Sequence, residues 1–211
     1  KSMIGISLSD SNNLCSYDQL EIIQSLIEQG MDFNTSDEYG SPIHRLFGAC
    51  NKLSSTDQLT VIKMLIDYGT DLEIMDMDQW RPIHYVCSKK NKMVPTDQLK
   101  AIKYMVDHGV NLEVMTKDQW RPIHFICSDE NNLNWLTQLE AIKYMIDKDV
   151  SLETMTDGYW RPIHFVCSGK NRMHSVDGLQ AIKYMIDKNV NLEVMDNNHW
   201  RPIHYVCSKE A

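Results

Sequence analysis

The sequence predicts an all-α helical-repeat solenoid with short hairpin-like turns between repeats, and three observations carry the prediction. First, the chain repeats itself every 40 residues: WRPIH begins at Trp80, Trp120, Trp160 and Trp200, and AIKYM at Ala101, Ala141 and Ala181. SPIH at Ser41 stands one period before RPIH at Arg81. A period of roughly 20–50 residues marks units that bury their apolar faces only by stacking on one another. Second, Leu99, Ile102, Met105 and Val106 recur at helical spacing opposite Lys100, Lys103 and Asp107, an amphipathic stripe of about three turns. Third, Arg81-Pro82 leads into Ile83, Val86 and Cys87, a short helix with proline in its first turn, where the missing N–H has no helical partner to lose.

The period divides the chain into a single array over 1–211. Complete repeats fall at 35–74, 75–114, 115–154 and 155–194, with partial repeats at 1–34 and 195–211. Leu20 to Leu59 and Gly30 to Gly69 are both 39 apart, so the first fragment lacks one residue, between Asp37 and Pro42. The last repeat stops at Ala211, after its first helix, and so reads as an excerpt from a longer array.

The second helix of each repeat closes at Gly30, Gly69, Gly109, Asp149 and Asn189, residue types that tolerate a left-handed backbone, so a left-handed C-cap is expected there. At its start, Thr56 and Thr96 are expected as N-caps; Leu136 and Val176 cannot cap, so the third and fourth copies should fray. Between the two helices, the segment Ser88 to Thr96 is patterned. Asn51, Asn91, Asn131 and Asn171 hold one position, and Leu53, Met93, Leu133 and Met173 another two residues on. The apolar residue should tuck between neighbouring repeats, and the Asn should end the first helix.

Composition narrows the function. A net charge of -8 and pI of 5.4 oppose a general affinity for nucleic acid, which rests on basic surfaces. No run approaches the roughly 18 apolar residues of a membrane span, so no membrane insertion is expected. His84-x-x-Cys87, repeated from His124, His164 and His204, pairs two metal-ligating residue types, yet a zinc site wants four converging ligands and each repeat offers a separate pair. No catalytic constellation or glycine-rich phosphate loop is present, so neither enzymatic activity nor a cofactor is expected.

Pro82-Ile83-His84, Leu99 to Gly109 and Val110-Asn111-Leu112-Glu113 resemble the ankyrin repeat, with its T-P-L-H opening, second helix and closing G-A-D-V-N. The usual unit is about 33 residues, and the surplus here lies in the segment between the two helices. Arg81, Arg121, Arg161 and Arg201 replace the threonine of T-P-L-H; Gln79, Gln119, Tyr159 and His199 replace the glycine of the hairpin. The resemblance implies structural roles for His44, His84, His124, His164 and His204 as hydrogen-bonding residues, and for Pro82, Pro122, Pro162 and Pro202 as helix openers. It also implies a non-catalytic scaffold, cytoplasmic and monomeric, that binds a protein or peptide on a concave face of hairpins and first helices. The alternatives are a structural spacer array and a targeting module joined to an enzyme outside this segment.

Candidate partner-binding residues follow from where the copies differ and where aromatics recur. They are the tip residues Gln79, Gln119, Tyr159 and His199; Lys89 after the first helix; the row Trp80, Trp120, Trp160 and Trp200; and Trp135, which has no counterpart in other copies. The tryptophan row also suits a structural ladder, with arginine against the indole faces. Tyr85, Phe125, Phe165 and Tyr205 form a second row, expected on the concave face. Helix packing separates equivalent positions by about 8–10 Å, beyond the reach of a disulfide, so all six cysteines should be free thiols in a reducing compartment.

Overall fold

A computed structural model of the protein describes residues 14–35, 41–47, 51–171 and 173–208. The described residues contain helices and turns and no strand. Helices of 13 residues alternate with helices of six. The long ones are α1 (Ser16–Glu28), α3 (Ser55–Asp67), α5 (Pro95–Asp107), α7 (Trp135–Asp147) and α9 (Ser175–Asp187). The short ones are α2 (Pro42–Phe47), α4 (Pro82–Cys87), α6 (Pro122–Cys127), α8 (Pro162–Cys167) and α10 (Pro202–Cys207). Proline opens every short helix, as the sequence requires.

The chain forms two compact units, Lys1–Asn111 and Leu112–Ala211. In the first, α3 packs between α1 and α5, while α2 packs on α3 and α4, and α4 on α5. Ile43, Leu46, Ile62, Ile83, Val86, Ile102 and Met105 are fully buried between these layers. In the second, α7 packs on α9, and α8 lies between α6 and α10, with α6 on α7 and α8 on α9. Its core is Ile123, Ile126, Leu133, Ile142, Met145, Ile163 and Met185. This is the helical-repeat architecture that the 40-residue period predicts.

The left-handed C-caps occur as expected. Gly30, Gly69 and Gly109 have φ of 73°, 92° and 81°, and Asp149 and Asn189 hold 59° and 61° without the glycine that makes such a backbone cheap. The N-caps differ from expectation. The long helices start two residues earlier, so Thr56, Thr96, Leu136 and Val176 are second helical residues, and the caps are Ser54, Val94, Asn134 and His174. Asn134 accepts from Thr137 N at 3.0 Å while Thr137 Oγ1 accepts from Asn134 N at 3.1 Å. The third copy is therefore capped by a reciprocal pair rather than left to fray.

The inserted loop is held by a buried amide pair. A six-residue helix leaves most of its carbonyls without a helical partner. Asn91 Nδ2 donates to Tyr85 O and Val86 O, both at 3.1 Å, and to Ser88 O at 2.5 Å, so the Asn ends the first helix as expected. Gln98, one helix later, donates to Val86 O at 2.8 Å and to Ser88 O at 3.2 Å. Asn131 and Gln138 repeat this on α6, and Asn51 and Gln58 both donate to Leu46 O. Leu53, Met93 and Leu133 are buried beneath, while Met173 is half-buried.

The fourth copy lacks half of this device, because Gly178 stands where Gln58, Gln98 and Gln138 stand. The loop responds: Ser168 is helical at ψ -4°, whereas Ser88 and Ser128 are extended, and Gly169 takes a φ of 70°. A side chain at Gly178 meets open space. Replacing an interior helical glycine removes a cost of about 1 kcal/mol, and each regained hydrogen bond adds about 0.5–1.5 kcal/mol. Gly178→Gln should therefore stabilise the protein by about 1–2 kcal/mol in urea unfolding; Gly178→Ala should recover only the propensity share.

Candidate functional site

The candidate surface is the hairpin with the short helix that follows it. Each hairpin turns on two backbone bonds: Thr116 N to Trp120 O at 2.9 Å, and Gln119 N to Thr116 O at 3.0 Å. The same pairs recur from Asp76, Thr156 and Asp196. Gln79, Gln119, Tyr159 and His199 sit at φ of 60–61°. The hairpin therefore keeps a left-handed residue at the glycine position, although none of the four is glycine. Such a backbone costs a residue with a Cβ roughly 1–2 kcal/mol.

The histidine anchors this frame through both ring nitrogens. Nδ1 of His124 accepts from Arg121 N at 3.0 Å, and its Nε2 lies 3.1 Å from Thr154 O at the end of the same repeat. A carbonyl only accepts, so Nε2 carries the proton and Nδ1 is the acceptor. His164 repeats the pattern with Arg161 N at 3.0 Å and Val194 O at 3.3 Å. Nδ1 of His44 accepts from Ser41 N, and Nε2 meets Trp80 O. Arg81 N and Arg201 N donate to His84 and His204 in the same way. The arginine loses the threonine hydroxyl but keeps its backbone N–H, which suffices for this bond.

Burial penalises the charged imidazole of His124, and the Thr154 carbonyl only partly offsets this, so its pKa falls from 6.5 to about 4. Burial likewise lowers His44 and His164. Arg81, Arg121 and Arg161 turn to glutamates rather than to indoles. Arg121 Nε donates to Glu113 O at 3.1 Å and lies 3.4 Å from Glu113 Oε2, while Glu113 Oε1 accepts from Ser151 N at 2.8 Å. Glu73 and Glu153 repeat the clip with Arg81 and Asn111, and with Arg161 and Asn191.

Ammonium groups take the place expected for arginine. Lys90 Nζ lies 3.5 Å from the centre of the Trp80 ring, and Lys170 Nζ lies 4.6 Å from that of Trp160. Within Leu112–Ala211 the aromatics form a zigzag: Trp120 meets Phe125 at 4.9 Å and Phe165 at 5.2 Å, and Trp160 meets Phe165 and Tyr205 at 5.0 Å each. Phe125 and Phe165 are only 5% and 6% exposed, so they do not line an open face; they fill the gap between tryptophans. Trp80, Trp120 and Trp160 are half-buried and Trp200 is more open. Gln79, Gln119, Tyr159, His199 and Lys89 are exposed. Trp135 is the first residue of α7 rather than part of the loop, and its indole meets His174 at 5.4 Å.

Sequence reading missed three features that recurrence could have shown. The glutamate clip and the buried glutamine recur every 40 residues. The third is a covarying pair: Asp76 and Asp196 accept from Tyr85 and Tyr205, whereas Thr116 and Thr156 stand in the copies that carry Phe125 and Phe165. The hydroxyl appears only where a carboxylate receives it.

The five described cysteines, Cys15, Cys87, Cys127, Cys167 and Cys207, are free thiols; Cys50 lies outside the described residues. Among the described residues no three His, Cys, Asp or Glu side chains converge as a metal site needs. No described helix is long and apolar enough to cross a membrane.

Comparison with solved structures gives the class. An ankyrin repeat domain from Acinetobacter baumannii matches with a TM-score of 0.68 at 16% identity, over 96% of this chain and 88% of that one. A second ankyrin repeat protein matches with a TM-score of 0.67 at 13% identity, over 97% and 92%. The chain therefore has the all-α ankyrin-repeat fold. No family model and no curated protein matches the sequence.

Two outcomes are expected. Asp76→Thr should destabilise by about 1–3 kcal/mol, since it leaves the half-buried Tyr85 hydroxyl without its acceptor. Asp76→Thr with Tyr85→Phe should recover most of that loss, a coupling that a double-mutant cycle reads. The second concerns pH. The folded-state pKa of His124 is depressed, so its contribution is whole above the unfolded value of 6.5 and is lost as pH falls to about 4. Unfolding free energy should drop by up to about 3 kcal/mol across that window.

Proposed function

We propose that this chain is a non-catalytic interaction scaffold that binds a protein or peptide partner on its hairpin tips and adjoining short helices. The observation that carries the reading is backbone strain. Gln79, Gln119, Tyr159 and His199 hold a left-handed backbone that glycine would adopt without cost. Strain of this kind gathers where a side chain is needed for function. These side chains are Gln in two copies and Tyr and His in the other two, are exposed, and sit on a hairpin whose backbone bonds recur in all four. The likeness to ankyrin repeat domains supports the reading by fold analogy.

Trp80, Trp120, Trp160 and Trp200 directly follow the tips in the chain and, with Lys89, are included in the proposed surface. Trp135, at the start of α7, is a further candidate contact. A net charge of -8 favours a protein or peptide over nucleic acid. The free thiols of Cys87 and Cys127, buried in their units, suit a reducing, cytoplasmic setting. A monomer is the proposed state.

The test uses single glycine substitutions at the four tip positions, with a partner captured on the immobilised chain. Each should raise stability by about 0.5–1 kcal/mol and weaken binding. A higher Tm with lower affinity is a combination that unfolding cannot produce. A spacer would retain no partner in a surface-dependent way. Normal binding by all four variants, with loss on deleting Asn91–Pro95, would place recognition on the inserted loops instead.

A further inference from the structure

We propose that Met75, Met115, Met155 and Met195, one at the entry to each hairpin, are sites of reversible oxidation to methionine sulfoxide. The protein holds methionine in two kinds of place. Met105, Met145 and Met185 of the long helices have no solvent exposure, and Met93 of the inserted loop has 3%. The four at the hairpins are open, at 50%, 44%, 39% and 44% in chain order.

Their exposure follows from the segment that enters each hairpin, along which enclosed and open residues alternate. Val114 and Thr116 are buried on either side of Met115, as are Thr154 and Thr156 beside Met155, and Val194 and Asp196 beside Met195. Ile74 and Asp76, beside Met75, are half-buried. Two residues before the methionine, Glu73, Glu113 and Glu153 are held by their clip to arginine. Two residues after it, the exposed position varies freely, as Met77, Lys117, Asp157 and Asn197. Methionine stands between them in all four copies, although burial does not require an apolar residue there.

A thioether within reach of solvent gives two electrons to peroxide. The sulfur lone pair attacks one oxygen of hydrogen peroxide, and the O–O bond breaks. The departing hydroxide takes the proton left on the transferred oxygen, so the products are a sulfoxide and water. Thiols of the core compete poorly, because burial pushes those of Cys87 and Cys127 up, away from the reactive thiolate. At the hairpins a flexible apolar side chain becomes a polar one that accepts hydrogen bonds. Each methionine precedes a tip residue by four positions, so the change falls on the hairpin that carries the tip. The enclosed methionines, whose sulfoxides would disrupt packing, are out of reach. The surface therefore changes while the fold stays, and the exposed sulfoxides remain open to methionine sulfoxide reductases.

Graded hydrogen peroxide on the whole chain, read by peptide mass spectrometry, provides the test. Met75, Met115, Met155 and Met195 should each gain one oxygen about tenfold or more faster than Met93, Met105, Met145 and Met185. In urea that unfolds the chain, this difference should vanish. The chain oxidised at the four positions should keep its Tm, and the two reductases, acting on the folded chain, should return those peptides to their starting mass. Equal rates in the folded chain would overturn the proposal, as would a rate difference that persists in urea. Loss of the cooperative melt on oxidation of the four, or sulfoxides that the reductases leave in place, would overturn it too.

Discussion

A buried imidazole with both nitrogens engaged is the constraint from which the repeat geometry follows. In His124 one nitrogen takes the N–H that opens the short helix, and the other reaches the Thr154 carbonyl, just before the next hairpin. One side chain thereby ties the entry to the short helix to the segment that closes the repeat. The ring has no solvent exposure, and an unmet polar group in such a place costs about 1–3 kcal/mol, so neither partner is dispensable. Because both bonds use backbone groups of the protein, the residue at 121 is free to be arginine. Its side chain then serves a separate purpose, joining Glu113 in a clip to Ser151 N.

A similar economy explains the lengthened segment between the helices. A six-residue helix followed by an insertion would bury carbonyls with nothing to bond. Asn131 and Gln138 meet that need from opposite sides, the first from the loop and the second from the long helix. The fourth copy shows the dependence by exception. With Gly178 in place of the glutamine, the loop after α8 takes another course. Polar bonds, rather than apolar burial alone, thus set the shape of each repeat, and the outward residues are left for other uses.

Much of this was legible because the chain carries several copies of one experiment. The period gave the helices, the left-handed closures at Asp149 and Asn189, and the Asn that ends each short helix. Errors arose where a residue's role depends on a neighbour distant in sequence. Thr96 looked like a cap because the apolar stripe begins at Leu99, but Met93, buried beneath the loop, brings the helix start forward to Pro95. Phe125 and Phe165 looked like surface because they lie one turn beyond the tryptophans, and only stacking between repeats reveals that they are enclosed. Arginine beside tryptophan suggested a stacked pair, whereas lysine ten residues away reaches the ring. The candidate surface was legible in part: variation marked the tips, while their strained backbone appeared only in three dimensions.

A neutral His124, protonated on Nε2, ties the opening of its repeat to the segment that closes it. Long-range 15N–1H spectroscopy of the ring of His124 measures this directly. The account predicts a neutral ring, with the proton on Nε2, from pH 7 down to about 5, and protonation only near pH 4. A ring that titrates near 6.5, or that carries its proton on Nδ1, would contradict it.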